Sequence, residues 1–321
     1  MEHRKLGRTD VQAPAVMMGC WPIAGMTSVG VTDAESLATL QAALDAGVNG
    51  FDTAYCYGAE GESERLIARA LKHRRTEIVI ATKGGIHWGP DGKQVLDGRP
   101  ATLERQCDES LRRLGTDHVE LLYLHAPDPT LPIEESAGAL KKLLDAGKTR
   151  SVGLSNASVE QLEDFARVCP LAAYQPHYNL LQREIETSQL PWCRANGVSV
   201  MVYWPLMKGF LAGKLHRDHI WDPKDGRGKY PMFQGEEWRK NQDFLDRLRP
   251  IAASAGKTLA QLAVNWVIRQ PGITSALCGA KRPPQIVECA GAADWSLDPV
   301  QLAHLEAALH ERGVPYSRSA V

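Results

Sequence analysis

Eight short apolar runs alternate with amphipathic segments along nearly the whole chain, and this alternation constrains the fold more than any single motif. The runs read as strands and lie near residues 16–19, 49–52, 78–82, 119–124, 151–154, 172–176, 199–203 and 274–278. They are continuously apolar, as expected for parallel strands that are covered on both faces of a sheet. Eight such strands joined by crossover helices predict an α/β fold, a (β/α)8 TIM barrel, with residues 1–321 as one domain.

Helix start signals support the segments between the runs. Three residue pairs have the spacing of a capping box, namely Thr32 with Glu35, Ser158 with Gln161, and Thr258 with Gln261. A doubly wound sheet is the alternative fold, and it would call for a Gly-x-Gly-x-x-Gly turn after a strand. The glycines from Gly25 to Gly30 lack that spacing, so the barrel is favoured.

Three additions to a plain barrel are expected. A turn signal at residues 7–10 lies between two short runs and predicts an N-terminal β-hairpin. Two connections are unusually long, residues 84–100 after the third strand and residues 204–257 after the seventh. Both leave the C-terminal ends of strands, the face on which such barrels carry their active sites. Long loops on this face are therefore predicted to be functional.

Charge and cysteine usage narrow the classes of partner. With 37 basic and 38 acidic residues the formal net charge is −1, and no basic stripe is present, so neither nucleic acid nor a membrane surface is an expected partner. The seven cysteines form no Cys-x-x-Cys pair, which favours a reducing, cytoplasmic location over disulfides or structural zinc. No metal site, signal peptide or obligate protein partner is predicted; a small molecule is the expected partner.

Three consecutive strands end in residues that carry chemistry. The second strand reaches Asp52 and is followed by Tyr57, the third stops at Lys83, and the fourth stops at His125. An ammonium beside Tyr57 would lower the pKa of the phenol, and Asp52 could hold Lys83 in place. Together the four residue types form a general acid beside a pocket that stabilises an oxyanion. The alternative is a buried ion-pair network that only stiffens the barrel mouth.

These motifs resemble those of the aldo-keto reductase family. The matching segments follow the family's order and lie at residues 52–58, 81–83, 122–125, 153–156, 174–179 and 279–283. Residues 178–181 and 209–214 extend the resemblance to the bacterial general-stress and inositol-operon type members. The resemblance implies a catalytic tetrad of Asp52, Tyr57, Lys83 and His125, with Tyr57 as the acid.

The resemblance also implies NADP(H) as the cofactor. Ser155, Asn156 and Gln175 would hold the nicotinamide amide, and Tyr203 would stack on its ring. Lys281 and Arg282 stand before a predicted helix start, where two cations suit the 2′-phosphate. The remaining candidates are Pro205, Leu206, Lys208, Gly209, Leu211 and Lys214 in the long loop, with Arg227 in reserve, and Gly279, Gln285, Glu288 and Cys289 around the last strand and helix.

The substrate side is predicted to be aromatic. Trp21, Tyr55, Trp88 and Trp221 lie in or after strand ends and would line a pocket for a small carbonyl compound. The predicted function is NADPH-dependent reduction of an aldehyde or ketone, or the reverse oxidation of an alcohol or sugar. Two alternatives remain: a non-catalytic regulatory or sensor subunit that binds NADP(H), and a lyase or isomerase that uses Lys83 as a Schiff base.

Overall fold

The computed structural model describes residues 1–25 and 30–316. The strands in these residues are β1 (His3–Lys5), β2 (Gln12–Pro14), β3 (Val16–Gly19), β4 (Gly50–Asp52), β5 (Val79–Gly84), β6 (Ile86–Trp88), β7 (Gln94–Leu96), β8 (Leu121–Leu124), β9 (Val152–Ser155), β10 (Ala173–Gln175), β11 (Ser199–Tyr203) and β12 (Ile273–Gly279). The helices are α1 (Asp33–Asp45), α2 (Glu62–Leu71), α3 (Pro100–Leu114), α4 (Ile133–Asp145), α5 (Val159–Val168), α6 (Gln189–Asn196), α7 (Gly235–Ser254), α8 (Leu259–Arg269), α9 (Pro283–Ala290) and α10 (Pro299–Arg312).

Eight parallel strands close into a barrel, which confirms the predicted fold. Their neighbours run in the order β3, β4, β5, β8, β9, β10, β11 and β12, and β12 pairs with β3 to close the ring. Helices lie between consecutive strands because the chain must return to the end of the barrel at which each parallel strand begins. All eight strands therefore end at one face of the barrel, and their last residues lie side by side.

The N-terminal hairpin of β1 and β2 is present as predicted. The buried side chains of Leu6, Val11 and Ala13, from the hairpin and its turn, pack in one cluster with barrel residues such as Met17 and Tyr123. A side chain at Gly153 would reach within 2.3 Å of the Tyr123 ring, so the interior has room for that ring only opposite a glycine. The hairpin thus plugs one end of the barrel and leaves the other end for a site.

Two predicted loops contain regular structure. Residues 204–257 were expected as one long loop, but α7 occupies their second half, and Phe244, Leu245 and Leu248 on it are buried. The sequence did not predict α7 because many glycines and prolines precede it and because Pro250 lies inside it. The connection at residues 84–100 carries the antiparallel hairpin of β6 and β7. No helix in the described part of the chain is long and apolar enough to cross a membrane.

Candidate active site

The four residues of the predicted tetrad come from three neighbouring barrel strands. Asp52 ends β4, Lys83 lies one residue before the end of β5, and His125 follows β8 directly. Because β4, β5 and β8 are consecutive in the barrel, these three positions meet at the face opposite the hairpin. Tyr57 lies in the connection after β4, where its backbone N–H donates to Ala54 O at 3.0 Å. This turn directs the tyrosine back toward the strand ends.

A buried ion pair lies at the centre of the group. Lys83 Nζ donates to Asp52 Oδ1 at 2.5 Å, to the Thr53 carbonyl at 2.8 Å and to the Tyr57 hydroxyl at 3.3 Å. The side chain of Lys83 is 1% exposed and that of Asp52 is 4% exposed. A buried ammonium needs hydrogen-bond partners for its protons, and here all three are supplied. The third of these partners, Tyr57, links the ion pair to a group that could exchange a proton.

Asp52 has a second partner that lies far away in sequence. Gln175 Nε2 donates to Asp52 Oδ2 at 2.8 Å, so both carboxylate oxygens are satisfied. Burial raises the pKa of Asp52, while the Lys83 ammonium and the Gln175 amide act in the opposite direction without cancelling that rise. The sequence assigned Gln175 to the cofactor amide alone. In the structure the Gln175 side chain fixes the orientation of the Asp52 carboxylate.

Tyr57 keeps its proton at neutral pH. Burial and the negative charge of Asp52 raise the pKa of the phenol well above its ordinary value. The sequence predicted a net lowering of this pKa by Lys83, and that prediction is wrong for this structure, because burial and the charge of Asp52 outweigh the ammonium 3.3 Å away. A phenol that holds its proton 3.3 Å from an ammonium can donate that proton, and the ammonium would stabilise the phenolate left behind.

His125 is buried next to Tyr57, with the two ring centroids 5.9 Å apart. Burial and the charge of Lys83 hold the pKa of His125 well below its usual range, so the imidazole is neutral. Its Nδ1 lies 3.6 Å from Cys56 Sγ. Burial raises the pKa of Cys56 to about 12, so this sulfur carries a proton that it can donate to Nδ1. Cys56 was not among the predicted site residues, because no sequence pattern indicates its contact with His125.

Two of the four predicted aromatic pocket residues flank Tyr57. The Trp21 ring meets the Tyr57 ring edge to face, with 4.9 Å between the centroids. Trp88 packs with Tyr57 against a small cluster that includes Ala54 and Cys56. Its indole Nε1 donates to the Cys56 carbonyl at 2.8 Å, which fixes the ring. Trp21 therefore forms an aromatic wall beside the phenol, and Trp88 is held against the same small cluster as Tyr57.

The other two aromatic candidates have different neighbours. Tyr55 donates its hydroxyl to Glu109 of α3 at 2.7 Å, and its ring lies under the guanidinium of Arg113 at 4.3 Å. Trp221 packs in the long loop against Phe233, with 5.2 Å between ring centroids. Neither contact brings these side chains to the tetrad. Both side chains are held by partners outside the tetrad, and their assignment to the substrate pocket stays a prediction.

The predicted nicotinamide residues meet beside the tetrad. Ser155 ends β9, Gln175 ends β10 and Tyr203 ends β11. Asn156 links them, because its Oδ1 accepts from the Tyr203 hydroxyl at 2.8 Å and its Nδ2 donates to the His125 carbonyl at 3.1 Å. Asn156 has φ of 58°, a left-handed conformation that asparagine tolerates better than most residues. This network gives the barrel mouth several amide and hydroxyl groups at adjacent strand ends.

The loop after β11 has an unusual backbone. Trp204, Met207 and Lys208 all have positive φ, and Gly209 continues the run at 89°. Such conformations in non-glycine residues persist only where the surrounding structure holds them, and they concentrate at functional sites. Lys208 Nζ lies 3.9 Å from the Trp204 ring centroid. The candidates Pro205, Leu206, Gly209 and Leu211 lie in the same turn, and Leu211 is buried.

Arg227, a further candidate from the sequence, reaches this turn from the far part of the loop. Its Nη1 donates to the Lys208 carbonyl at 3.1 Å, and its Nη2 pairs with Asp225 at 2.7 Å. Lys281, before α9, is half-buried, and its pKa is lowered by burial, by Arg227 and by Arg282, with Asp225 acting against them. The positive charge of Arg227 in the loop therefore acts on Lys281 before α9.

The candidates around α9 differ in their partners and in their exposure to solvent. Gln285 Oε1 accepts from the backbone N–H of Lys281 at 2.8 Å and of Arg282 at 3.2 Å, which caps the helix. Lys214 Nζ pairs with Glu288 at 2.6 Å. Gly279, the last residue of β12, is exposed. Cys289 is 2% exposed and belongs to the core, so its assignment to the adenine is corrected.

Comparisons with known proteins show the family to which the chain belongs. A model described as the aldo/keto reductase family matches residues 15–310. Aldo-keto reductase YhdN of Bacillus subtilis is 36% identical over 301 residues, 93% of this chain and 90% of that protein. Aldo-keto reductase yakc of Schizosaccharomyces pombe, whose name includes NADP(+), is 35% identical over 295 residues, 90% and 86% of the two chains.

A solved structure extends the comparison to the fold. The glycerol dehydrogenase AKR11B4 from Gluconobacter oxydans has a TM-score of 0.91 and 34% identity, and the match covers 99% of this chain and 98% of that one. The family model, both relatives and this structure span nearly the whole chain. The resemblance drawn from the motifs is confirmed: the chain belongs to the aldo/keto reductase family.

Proposed function

We propose that this protein is an NADPH-dependent oxidoreductase that reduces the carbonyl group of an aldehyde or ketone, or oxidises the corresponding alcohol, with Tyr57 as the general acid. One observation carries the proposal: the protonated Tyr57 hydroxyl lies 3.3 Å from Lys83 Nζ, which is itself held on Asp52 at 2.5 Å. A purely structural ion pair would have no need of a phenol in contact with it. The family membership supports the same reading.

The residues have separate roles in carbonyl reduction. When bound, NADPH supplies the hydride that forms the new C–H bond. Tyr57 donates its proton to the carbonyl oxygen as negative charge develops there, and Lys83 stabilises the phenolate that remains. Neutral His125 can donate a hydrogen bond to the same oxygen from Nε2. Bulk solvent returns a proton to Tyr57 after the alcohol leaves, so atoms and charges balance.

Several groups fit the cofactor. Asn156, Gln175 and Ser155 place amide and hydroxyl groups at the strand ends beside the tetrad, as a carboxamide requires. Tyr203 ends the next strand and supplies an aromatic ring there. Lys281 faces other cations before α9, an arrangement that favours a bound anion such as a phosphate. The relative yakc carries NADP(+) in its name, which supports the same choice of cofactor.

A steady-state assay tests the proposal. We expect NADPH absorbance to fall when 4-nitrobenzaldehyde is added. In the reverse direction, reduction of NADP+ is assayed first with glycerol, because the similar protein AKR11B4 is a glycerol dehydrogenase. Binding of NADPH without turnover of any carbonyl compound in a broad panel would instead favour the regulatory or sensor alternative. Trapping of substrate by borohydride on Lys83 would favour the Schiff-base alternative.

The location is proposed on separate grounds. All seven cysteines are free thiols and all are buried. Free thiols without disulfides are typical of a reducing compartment, so we propose the cytoplasm. Fractionation of the cells that produce the protein, followed by immunoblotting, tests this proposal.

A further inference from the structure

A carboxylate lies on the cation that was assigned to the cofactor 2′-phosphate. Arg282 Nε pairs with Glu35 Oε1 at 3.1 Å, although the two residues are 247 positions apart. Glu35 lies in the first turn of α1, and Arg282 stands immediately before α9. These helix starts are neighbours because β3 and β12, the strands that precede them, pair in the barrel. The fold thus brings an acid to Arg282 that lies far from it in sequence.

Glu35 is held in this position from two sides. Its Oε2 accepts a hydrogen bond from the Thr32 hydroxyl at 3.2 Å, and Thr32 caps α1. The hydrogen bond from Arg282 lowers the pKa of Glu35 further below neutrality, so the side chain is a carboxylate at physiological pH. The side chains of Glu35 and Arg282 are 37% and 60% exposed, so a ligand can reach both. The carboxylate therefore pairs with the guanidinium at its Nε.

The surrounding charges show why this pair matters. Lys281, Arg282 and Arg227 face one another closely enough that both arginines lower the pKa of Lys281. Asp225 already pairs with Arg227 at 2.7 Å. Glu35 neutralises Arg282 in the same way. A 2′-phosphate with nearly two negative charges would compete with Glu35 for Arg282 and would lie close to a fixed carboxylate.

We propose that Glu35 is a specificity-determining residue that narrows the preference for NADPH over NADH by competing with the 2′-phosphate for Arg282. This inference rests on the proposed cofactor site. NADH carries a ribose hydroxyl where NADPH carries the phosphate, and a hydroxyl can donate a hydrogen bond to Glu35. The Glu35 carboxylate thus weakens the binding of NADPH and can form a hydrogen bond with NADH.

Fluorescence titration of NADPH and NADH on purified variants measures the effect without turnover. We expect Glu35→Gln to lower the Kd for NADPH by about two- to fivefold, because exposed ion pairs contribute little each, and to leave the Kd for NADH equal or higher. Glu77→Gln is the matched control. Glu77 is also an exposed carboxylate that pairs with an arginine, Arg74, at 2.6 Å. It lies just before the first residue of β5, at the end of the barrel away from the proposed cofactor site. This variant should change neither Kd.

A double variant identifies the shared partner. The gain in NADPH affinity from Glu35→Gln should shrink when Arg282→Ala is already present, because the group for which phosphate and carboxylate compete is gone. An equal gain in both backgrounds, no gain at all, or the same gain from Glu77→Gln would overturn the inference. If Arg282→Ala alone leaves the Kd for NADPH unchanged, the proposed phosphate site itself is wrong. If Arg282→Ala weakens NADPH binding and Glu35→Gln does not strengthen it, only the role of Glu35 fails.

Discussion

The tetrad and the cluster around α9 both consist of paired charges, but they differ in their access to solvent. Lys83 and Asp52 are almost fully buried, and their remaining polar atoms are taken by Thr53, Tyr57 and Gln175. The pairs Arg282 with Glu35 and Lys214 with Glu288 lie on the rim, where the cations are 60% and 63% exposed. Buried pairs resist exchange because breaking them leaves an uncompensated charge.

This difference matches the two tasks that we propose for the site. A catalytic group must be held in one orientation before the reaction, which burial and complete hydrogen bonding provide. A group that binds a phosphate must be able to give up its current partner, which water and weak exposed pairs allow. We therefore expect large effects on rate or stability from changes in the tetrad and smaller effects on cofactor affinity from changes on the rim.

The largest effect is expected from removal of the Tyr57 hydroxyl. Tyr57→Phe should lower kcat by about 10²–10⁴-fold, the usual loss for a positioned general acid, while the Kd for NADPH stays close to that of the wild type. Tyr55→Phe is the matched control, because its hydroxyl donates to Glu109 outside the tetrad. Steady-state kinetics with a benzaldehyde substrate measure both. A near-normal kcat for Tyr57→Phe would remove Tyr57 from the chemistry.

Loss of the buried cation should reduce stability. Lys83→Met leaves the Asp52 carboxylate buried without its ammonium, which typically costs about 3–5 kcal/mol of the free energy of unfolding. Lys93→Met removes an exposed lysine from Asp91, and its effect should stay within about 0.5 kcal/mol. Urea denaturation followed by circular dichroism compares the two variants. Equal small losses would mean that the buried pair behaves like a surface pair, and the contrast between the two regions would fail.

On the rim, Arg282→Ala should weaken NADPH binding by about ten- to a hundredfold, because one charge-assisted hydrogen bond to the phosphate is lost. NADH binding should change little, since NADH has no group there to lose. Fluorescence titration of both cofactors, at low and high salt, measures the change. An equal loss for both cofactors, or tighter NADH than NADPH binding by the wild type, would refute the assignment of Arg282 to the 2′-phosphate.

The smallest effect tests the contact of Cys56 Sγ with His125 Nδ1 at 3.6 Å. A proton donated to Nδ1 keeps the remaining imidazole proton on Nε2. Cys56→Ala should therefore lower kcat by about fivefold, the equivalent of one weak hydrogen bond, and Cys56→Ser, which retains a donor, should restore most of the rate. Nitrogen NMR of labelled histidine, with the His125 signal assigned by its loss in His125→Asn, reports the tautomer directly. An unchanged His125 tautomer in Cys56→Ala would show that the contact with Cys56 does not set the position of the imidazole proton.

The sequence predicted the barrel and the tetrad because both depend on local order. Each strand is a continuous apolar run, and a parallel barrel aligns all strand ends, so the residues that end such runs must meet. Asp52, Lys83 and His125 are brought together by this rule alone. The capping pairs Ser158 with Gln161 and Thr258 with Gln261 were also readable, since both partners lie within one turn, and both capping boxes form. Helix α7 was missed because glycines and prolines precede it.

Contacts between distant residues were decided only by the tertiary structure. Gln175 reaches Asp52 across 123 positions, Cys56 reaches His125 across 69, and Glu35 reaches Arg282 across 247. No spacing in the sequence encodes these distances, because they follow from which strands are neighbours in the closed barrel and from how each side chain is oriented. The pKa of Tyr57 was likewise decided by the tertiary structure. Burial and the position of Asp52 raise it, and they outweigh the effect predicted for Lys83. The sequence therefore determined which chemistry the barrel mouth carries, and the fold determined the partners that tune it.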